Sequence, residues 1–262
     1  QNYEKLLGRT VQRNMSEEEY FFPSDLQDTR VEPRSYKFNR PWGVPVRYHD
    51  FDEYHSKISP DVFEFHLSYL DLDLNIDEFL TGEYGCGFVV HAPELFARSR
   101  LMDLASPDEE YRQYSVRETQ RVIDITRSLK KYFPATERPM IVANIGGFTM
   151  DELLPLDQKV TYYERFADSL SLLDMAGVEL IPQTMAPFPW HFGGQRYQNL
   201  FVHAEECRYW CDKLNLRMCF DISHSRLMSN HFGVDFYEFA EKIAPITAHL
   251  HLGDASGVNG EG

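Results

Sequence analysis

Cysteine is scarce in this chain of 262 residues, which contains four. Cys207 and Cys211 are four positions apart in a helical pattern, and no second pair lies at the spacing of a structural zinc site. So few cysteines in a chain of this length do not make a disulfide framework. We therefore expect reduced, packed thiols in a cytoplasmic protein.

Basic residues are also in deficit, because 26 Lys and Arg face 41 Asp and Glu and give a formal charge of −15. Such a field repels phosphodiester backbones and anionic membranes, so nucleic-acid binding is disfavoured, although a local basic groove stays open. The sequence has no apolar run near 18 residues and no Arg-led signal segment with a small-residue cleavage site. These absences predict a soluble protein.

The first 40 residues differ from the rest of the chain. The stretch "NMSEEEYFFPSDLQDTRVEPRSYKFNRP" is charged, interrupted by proline and lacks sustained hydrophobic periodicity. We expect residues 1–40 to be a linker or the remnant of an upstream domain. Residues 41–262 then form the main domain.

From Trp42 onward, short apolar runs alternate with longer amphipathic stretches, which is typical of βα units around a parallel sheet. The predicted strands are residues 43–49, 61–68, 85–93, 139–147, 178–186, 216–225 and 246–256, and the clearest helices are residues 111–133, 158–175, 199–214 and 235–244. The pattern predicts an α/β fold, a TIM-type (β/α)8 barrel. Seven strands leave two alternatives: the last helix and strand follow Gly262, or the barrel is not closed.

Polar side chains occur where these predicted strands end, which is where parallel α/β folds place their reactive groups. The candidates are Glu64, His66, His91, Asn144, Gln183, Asp221, His224 and His251. Glu64 and His66 share a strand face, so they form either an internal salt-bridge layer or part of a site. His91 ends an apolar run in "VVHAPE", where an unpaired imidazole is costly, which favours a role as ligand or base.

The segments "CFDISHS" and "HLHLGDASG" give the clearest prediction of a metal site. Asp221 and His224 are three residues apart at a strand-to-loop turn, and His251 on the adjacent strand can supply a third ligand. Three convergent ligands are enough for an open catalytic site. The alternative is a hydrogen-bonded polar layer over the core.

The loop "MAPFPWHFGGQRYQN", residues 185–199, combines aromatic rings with polar groups. Trp190, Gln195 and Arg196 suit a sugar, whose faces carry C–H groups and whose edges carry hydroxyls. The alternative is a hydrophobic plug over the barrel.

These motifs resemble those of the xylose isomerase-like barrel superfamily, which includes sugar isomerases, sugar epimerases and endonuclease IV. "VVHAPE" is similar to the motif of its third strand, "CFDISHS" to that of its sixth and "LHLGDASG" to that of its seventh. The resemblance spans residues 43–262 and implies metal-ligand roles for His91, Asp221, His224 and His251.

Two positions depart from this family pattern. Asn144 stands where the nuclease branch has a His, and Gln183 stands where the family has a metal-binding Glu. An amide oxygen is a weaker ligand than a carboxylate, so a three-metal nuclease site is in doubt. Gln183 stays a candidate ligand, while the family's last Glu would lie beyond Gly262, with Glu261 as a weak substitute.

The first hypothesis is a sugar or sugar-phosphate isomerase or epimerase assisted by a divalent metal, Zn, Mn or Mg. Glu64 or His91 is then the general base. We expect His66, Asn144, Gln183, Trp190, Gln195 and Arg196 to contact the substrate. The alternatives are a metal-dependent phosphoester hydrolase of the endonuclease IV type and a non-catalytic sugar-binding domain. The opening segment also resembles, more faintly, the linker of sialic acid synthases, which implies an upstream synthase domain and nine-carbon sugar synthesis.

Overall fold

The structure is a computed structural model that describes residues 7–16, 23–26, 38–97, 99–187, 196–258 and 260–261. The chain divides into two compact units, Gln1–Arg40 and Pro41–Gly262. In the first unit, a 3-10 turn covers Pro23–Leu26, and the Arg13 Nε donates to Asp25 Oδ1 at 2.6 Å. The role of this unit as a linker or domain remnant stays a prediction.

All seven predicted strands are present in the second unit. We number them β1 to β7: Gly43–Val46, Val62–His66, Gly87–His91, Met140–Ala143, Glu179–Pro182, Met218–Asp221 and Thr247–His251. The first five form a parallel sheet in chain order, and β6 pairs in parallel with β7. A parallel bridge between Gln183 and Cys219 links the end of β5 to β6. This order confirms the predicted α/β barrel architecture.

Helices follow most of these strands and cover the outside of the sheet. They are α1 to α6: Phe51–Lys57, Glu109–Leu129, Leu156–Ser171, Ala204–Leu214, Ile222–Phe232 and Phe236–Ile243. Shorter 3-10 turns cover Asp71–Asp73, Ile76–Glu78 and Ala244–Ile246. Three pairs of very short antiparallel strands lie outside the main sheet. They join Leu95–Ala97 to Arg100–Leu101, Phe148–Thr149 to Tyr197–Gln198, and Ala255–Ser256 to Gly260–Glu261.

Several predicted elements are longer than the observed ones; the strands predicted at 139–147, 178–186 and 246–256 end at Ala143, Pro182 and His251. At two other boundaries, side chains start a helix where the hydrophobic pattern does not show one. The predicted strand 216–225 ends at Asp221, whose Oδ1 accepts the backbone N–H of His224 at 2.9 Å and so begins α5. The predicted helix 199–214 begins only at Ala204. Glu206 Oε1 accepts the backbone N–H groups of Val202 and His203, both at 2.9 Å, and fixes that start.

The two faces of the strands have different compositions, as two-residue alternation requires. The outer face belongs to a large apolar core, with Phe63 and Phe65 from β2 packed on Phe51 of α1. The inner face forms a small separate cluster of Val89, Val142, Ile181 and Cys219, joined by the less buried Val62 and Met140. Beyond this cluster, toward the carboxyl ends of the strands, the inner positions become polar.

Asp103 holds together the loops at this end of the barrel. Its Oδ1 accepts the N–H groups of Ala105 at 3.1 Å and Gly147 at 2.8 Å, which links the loop after β3 to the turn after β4. Gly146 and Gly147 adopt φ angles of 92° and 84°. A Cβ on Gly146 would lie 2.3 Å from Asp103 Oδ1, so the close approach of the two loops requires glycine here.

Gly146→Ala should destabilise the fold more than Gly233→Ala. Both glycines have positive φ, which costs an L-residue about 1–2 kcal/mol, but a Cβ on Gly233 meets nothing within 4 Å. The clash with Asp103 adds to the cost at Gly146 alone. Chemical denaturation measures both free energies of unfolding, and equal losses would show that the approach of the two loops is not tight.

Asp103 should also make stability depend on pH. Burial raises the pKa of Asp103 to about 6, against the lowering effect of the backbone N–H groups. The protonated carboxyl of Asp103 stabilises the folded protein most at pH values below the pKa that this group has in the unfolded chain. This stabilisation is lost as pH rises through about 6. The loss is at most about 3 kcal/mol, from 1.36 kcal/mol per pKa unit.

Asp103→Asn keeps an Oδ1 acceptor and cannot ionise. Its free energy of unfolding, relative to that of the unmodified protein, should therefore increase between about pH 4.5 and about pH 7. Denaturant unfolding at a series of pH values measures this difference. Parallel pH profiles for the two proteins would contradict the assignment.

Candidate functional site

A cleft of about 470 Å³ opens at the carboxyl ends of the strands. Its walls come from β2, β3, β5, β6 and β7 and from the loops that follow β1, β2 and β3. The residues that line it are Arg47, His66, Leu67, Ser68, Tyr69, His91, Ala92, Pro93, Glu94, Leu95, Gln183, Asp221, His224 and His251. Six of the predicted site residues, from the ends of five strands and from α5, therefore line one cavity.

Glu64 lies one layer below the cleft and is 6% exposed. Its Oε1 is 2.6 Å from His66 Nε2, and its Oε2 is 2.5 Å from His249 Nε2. His251 Nε2 lies 3.0 Å from Oε1 and 3.1 Å from Oε2. Burial alone would raise the pKa of Glu64, but the hydrogen bonds with these imidazoles hold it well below its ordinary value. Glu64 is therefore an ionised carboxylate that contacts three histidines.

His251 lies between two carboxylates. Its Nε2 faces Glu64, and its Nδ1 is 3.2 Å from Asp221 Oδ2. Burial lowers the pKa of His251, but hydrogen bonds with Asp221, Cys219 and Glu64 outweigh it and raise the pKa to about 12. This imidazolium offsets part of the negative charge of the two buried carboxylates.

Both oxygens of Asp221 are engaged within the protein. Oδ1 accepts the His224 backbone N–H at 2.9 Å and the Ser223 hydroxyl at 2.8 Å, while Oδ2 faces His251. Burial opposes ionisation, yet the contacts with His251 and His224 lower the pKa of Asp221 to about 2. His224 Nδ1 lies 3.0 Å from the Thr184 carbonyl, which orients its ring.

His91 lines the cleft beside His66 and His251 and is 8% exposed. Its Nδ1–H donates to the Ala92 carbonyl at 2.9 Å, so the lone pair of the neutral ring is on Nε2. The ring stacks on His66 at 4.6 Å and on His251 at 5.6 Å between centroids. Burial, with the charge of His66, lowers the pKa of His91 to about 4, so this imidazole is neutral at neutral pH.

Gln183 and Asn144, the two positions that depart from the family pattern, have different surroundings. Gln183 lines the cleft, and its Oε1 is buried without a hydrogen-bond partner among the described residues. Asn144 Oδ1 accepts the Gly146 N–H at 3.1 Å, and Asn144 is not among the residues that line the cleft.

The predicted sugar-binding loop lies mostly outside the described residues. Trp190 and Gln195 fall there, and nothing is assigned to them. Arg196 is described, and its charge acts on Asp103 and Tyr111 rather than along the cleft wall. The roles of these three residues stay predictions.

The site fits a divalent ion. Glu64, His66 and His251 each offer a ligand atom, and these atoms lie within 4.8 Å of one another. Carboxylate oxygens and imidazole nitrogens are ligands for Zn and Mn, and Gln183, whose Oε1 has no partner among the described residues, lines the same cleft. His251 belongs both to this group and to the predicted set of Asp221, His224 and Gln183.

Two residues of the site were not selected from the sequence. His249 is on the same face of β7 as His251, as two-residue alternation predicts, but alternation alone does not show that both histidines reach Glu64. Arg47, at the end of β1, lines the cleft, and one of its terminal nitrogens is 2.5 Å from Asp71 Oδ2. Asp71 also accepts the Ser68 N–H and hydroxyl, so the guanidinium is held at the rim.

Among the helices that the structure describes, none combines the length and the hydropathy needed to span a bilayer.

Residues 61–262 match the sequence profile of a family described as xylose isomerase-like TIM barrel. This match covers more than half of the chain. No curated protein sequence matches the chain.

Solved structures with the same fold include three informative examples. A D-tagatose 3-epimerase-like protein is 20% identical with a TM-score of 0.60, over 83% of this chain and 78% of that chain. D-Psicose 3-epimerase from Clostridium cellulolyticum, solved with D-tagatose, is 14% identical with a TM-score of 0.53, over 82% and 73%. Endonuclease IV from Thermus thermophilus is 15% identical with a TM-score of 0.51, over 84% and 79%. At these identities the likeness shows the fold.

Proposed function

Because the chain belongs to the xylose isomerase-like TIM barrel family, we propose that it is an isomerase or epimerase acting on a sugar or sugar phosphate. The observation that carries the proposal is the cleft itself, where the neutral imidazole of His91 lies beside a cluster of side chains that could hold a metal ion. A proton shift between adjacent carbons needs a base, an electrophile and a pocket that excludes water. The epimerase names of two proteins with the same fold support this reaction class.

Of the two candidate bases, the geometry favours His91. Glu64 is not among the residues that line the cleft, and its two oxygens are occupied by imidazoles. His91 lines the cleft, is neutral at neutral pH and carries its lone pair on Nε2. Its lowered pKa also makes the protonated ring a ready donor, so the same residue can return the proton to the neighbouring carbon.

A divalent ion held at Glu64, His66 and His251, or at the predicted set of Asp221, His224, His251 and Gln183, would polarise the substrate carbonyl. His66 and Gln183 line the cleft at positions suited to hydroxyl groups. Arg47 adds a cation held by Asp71, which suits a phosphate or carboxylate on the substrate. The proposal also includes substrate contacts from Asn144, Trp190, Gln195 and Arg196. It further includes a role in nine-carbon sugar synthesis beside a synthase domain.

The hydrolase alternative has less support. The fold it shares with endonuclease IV is also that of the epimerases. Asn144 bonds to its own turn, and Gln183 offers a neutral amide oxygen where a carboxylate would bind metal more strongly. The charge of −15 also opposes a DNA substrate.

Deuterium exchange tests the proposed reaction directly. The protein is incubated in D2O with ketoses and ketose phosphates, with and without Mn²⁺, Mg²⁺ or Zn²⁺, and label at the carbon next to the carbonyl is measured by mass spectrometry. His91→Gln should slow exchange by roughly 100-fold or more, the usual contribution of a general base. His55→Gln, at an exposed histidine of α1, is the matched control and should not change the rate.

Exchange that survives in the His91 variant would remove His91 from the role of base. Absence of exchange with every sugar, together with cleavage of abasic-site DNA, would replace the isomerase proposal with the hydrolase. Sugar binding without either reaction would favour a non-catalytic binding domain.

A further inference from the structure

We propose that the cleft selects an anionic sugar, one that carries a phosphate or a carboxylate group, and that Arg47 binds this group. The inference deepens the proposed function, on which its catalytic meaning rests, because it narrows the substrate class from sugars in general to negatively charged ones. Arg47 is thereby a specificity-determining residue. Binding of a charged sugar is measurable without any reaction.

Arg47 has a fixed place at the mouth of the barrel. It follows β1 directly, and its backbone N–H donates to Asp50 Oδ1 at 2.6 Å. Its carbonyl accepts the Phe51 N–H at 3.1 Å, where α1 begins. The Arg47 side chain is 35% exposed, and the residue lines the cleft. A well-bonded strand-to-helix turn therefore presents this cation to the cavity.

Asp71 holds the guanidinium but does not saturate its donors. Asp71 is 6% exposed, and its Oδ2 accepts one terminal N–H of Arg47 together with the N–H and the hydroxyl of Ser68. An arginine carries five N–H groups in a planar fork that matches a phosphate or a carboxylate. The contact with Asp71 is the guanidinium's one hydrogen bond to the described residues. The fork therefore has donors left for a second oxyanion.

Donors outnumber acceptors around this ion pair. The Arg47 Nε–H and the Tyr48 hydroxyl are both buried and lack partners among the described residues. The charges of Arg47 and Asp71 act on Tyr48, so the three side chains belong to one electrostatic environment. Phosphate and ionised carboxylate groups supply hydrogen-bond acceptors without adding donors. A ligand of this kind corrects the imbalance at the rim.

The charge of the rest of the molecule makes Arg47 necessary for an anion. The chain has a formal charge of −15, and the carboxylates of Glu94 and Asp221 line the cleft. The His251 imidazolium is held between Glu64 and Asp221. Among the described residues that line the cleft, Arg47 is the one Arg or Lys. An anionic substrate therefore depends on this side chain, and its removal should have a large effect.

Affinity for matched pairs of sugars tests the assignment. Calorimetry compares D-fructose with D-fructose 6-phosphate and D-ribulose with D-ribulose 5-phosphate. A keto acid, 5-keto-D-gluconate, replaces the phosphate by a carboxylate, and inorganic phosphate probes the site without a sugar. The unmodified protein should bind the better of the two charged classes roughly 10–100-fold more tightly than the neutral sugars, as expected for a charge-assisted hydrogen bond. Added salt should reduce this preference.

Two variants remove the cation. Arg47→Gln should abolish the preference for charged sugars and leave the affinity for neutral sugars unchanged. Because Arg47→Gln leaves the buried Asp71 carboxylate without its cation, Arg47→Gln combined with Asp71→Asn removes both charges and serves if the single variant does not fold. The double variant should lose the preference to the same extent.

Arg217→Gln is the matched control. Arg217 also pairs with a carboxylate, through two hydrogen bonds of 2.7 Å to Glu179, but this pair lies where β5 and β6 begin, at the end of the barrel away from the cleft. Its loss should change neither affinity.

Equal affinity for charged and neutral sugars would overturn the proposal, as would a preference that survives in the Arg47 variants. A protein that binds neither a charged sugar nor inorganic phosphate would also overturn it. These results are independent of the exchange assay. A protein that prefers charged sugars through Arg47 but exchanges no deuterium loses the proposed function and keeps the anion site. Exchange into neutral ketoses as fast as into ketose phosphates keeps the proposed function and removes this inference.

Discussion

The structure of the site depends on one buried carboxylate. Glu64 lies between the small apolar cluster inside the barrel and the open cleft, where an isolated negative charge would be strongly disfavoured. Three imidazoles compensate it, and they come from β2 and from β7, which are far apart in the sequence. This charge therefore ties the two strands together across the barrel interior.

The same compensation fixes the state of the surrounding groups. His251 contacts Glu64 on one side and Asp221 on the other, so its charged form is favoured. The neighbouring His91 is buried, donates its Nδ1–H to a backbone carbonyl and stays neutral. Two stacked histidines in one cleft thus carry different protonation states at neutral pH. Divergent states of adjacent groups are what acid–base chemistry requires.

Much of this arrangement could be predicted from the sequence, because it follows from strand periodicity. All seven strands were identified, and the inner-face positions at their carboxyl ends do converge, as His66, His91, Gln183, Asp221 and His251 show. The sequence could not rank the candidates, since ligand and base roles depend on which oxygen of Glu64 or Asp221 is already occupied. It also could not show that Asn144 bonds to its own turn, because that turn depends on positive φ at Gly146.

The division between the inner and outer faces of the strands has a consequence for how this protein can change. The large apolar core lies between sheet and helices, and the interior of the ring contributes only a few aliphatic side chains among the described residues. Cohesion of the fold and reactivity of the cavity are thus assigned to alternate residues of the same strands. Substitutions at the inner-face positions can accumulate with little effect on the apolar core that the outer-face positions form. The fold can therefore acquire new substrates without losing stability.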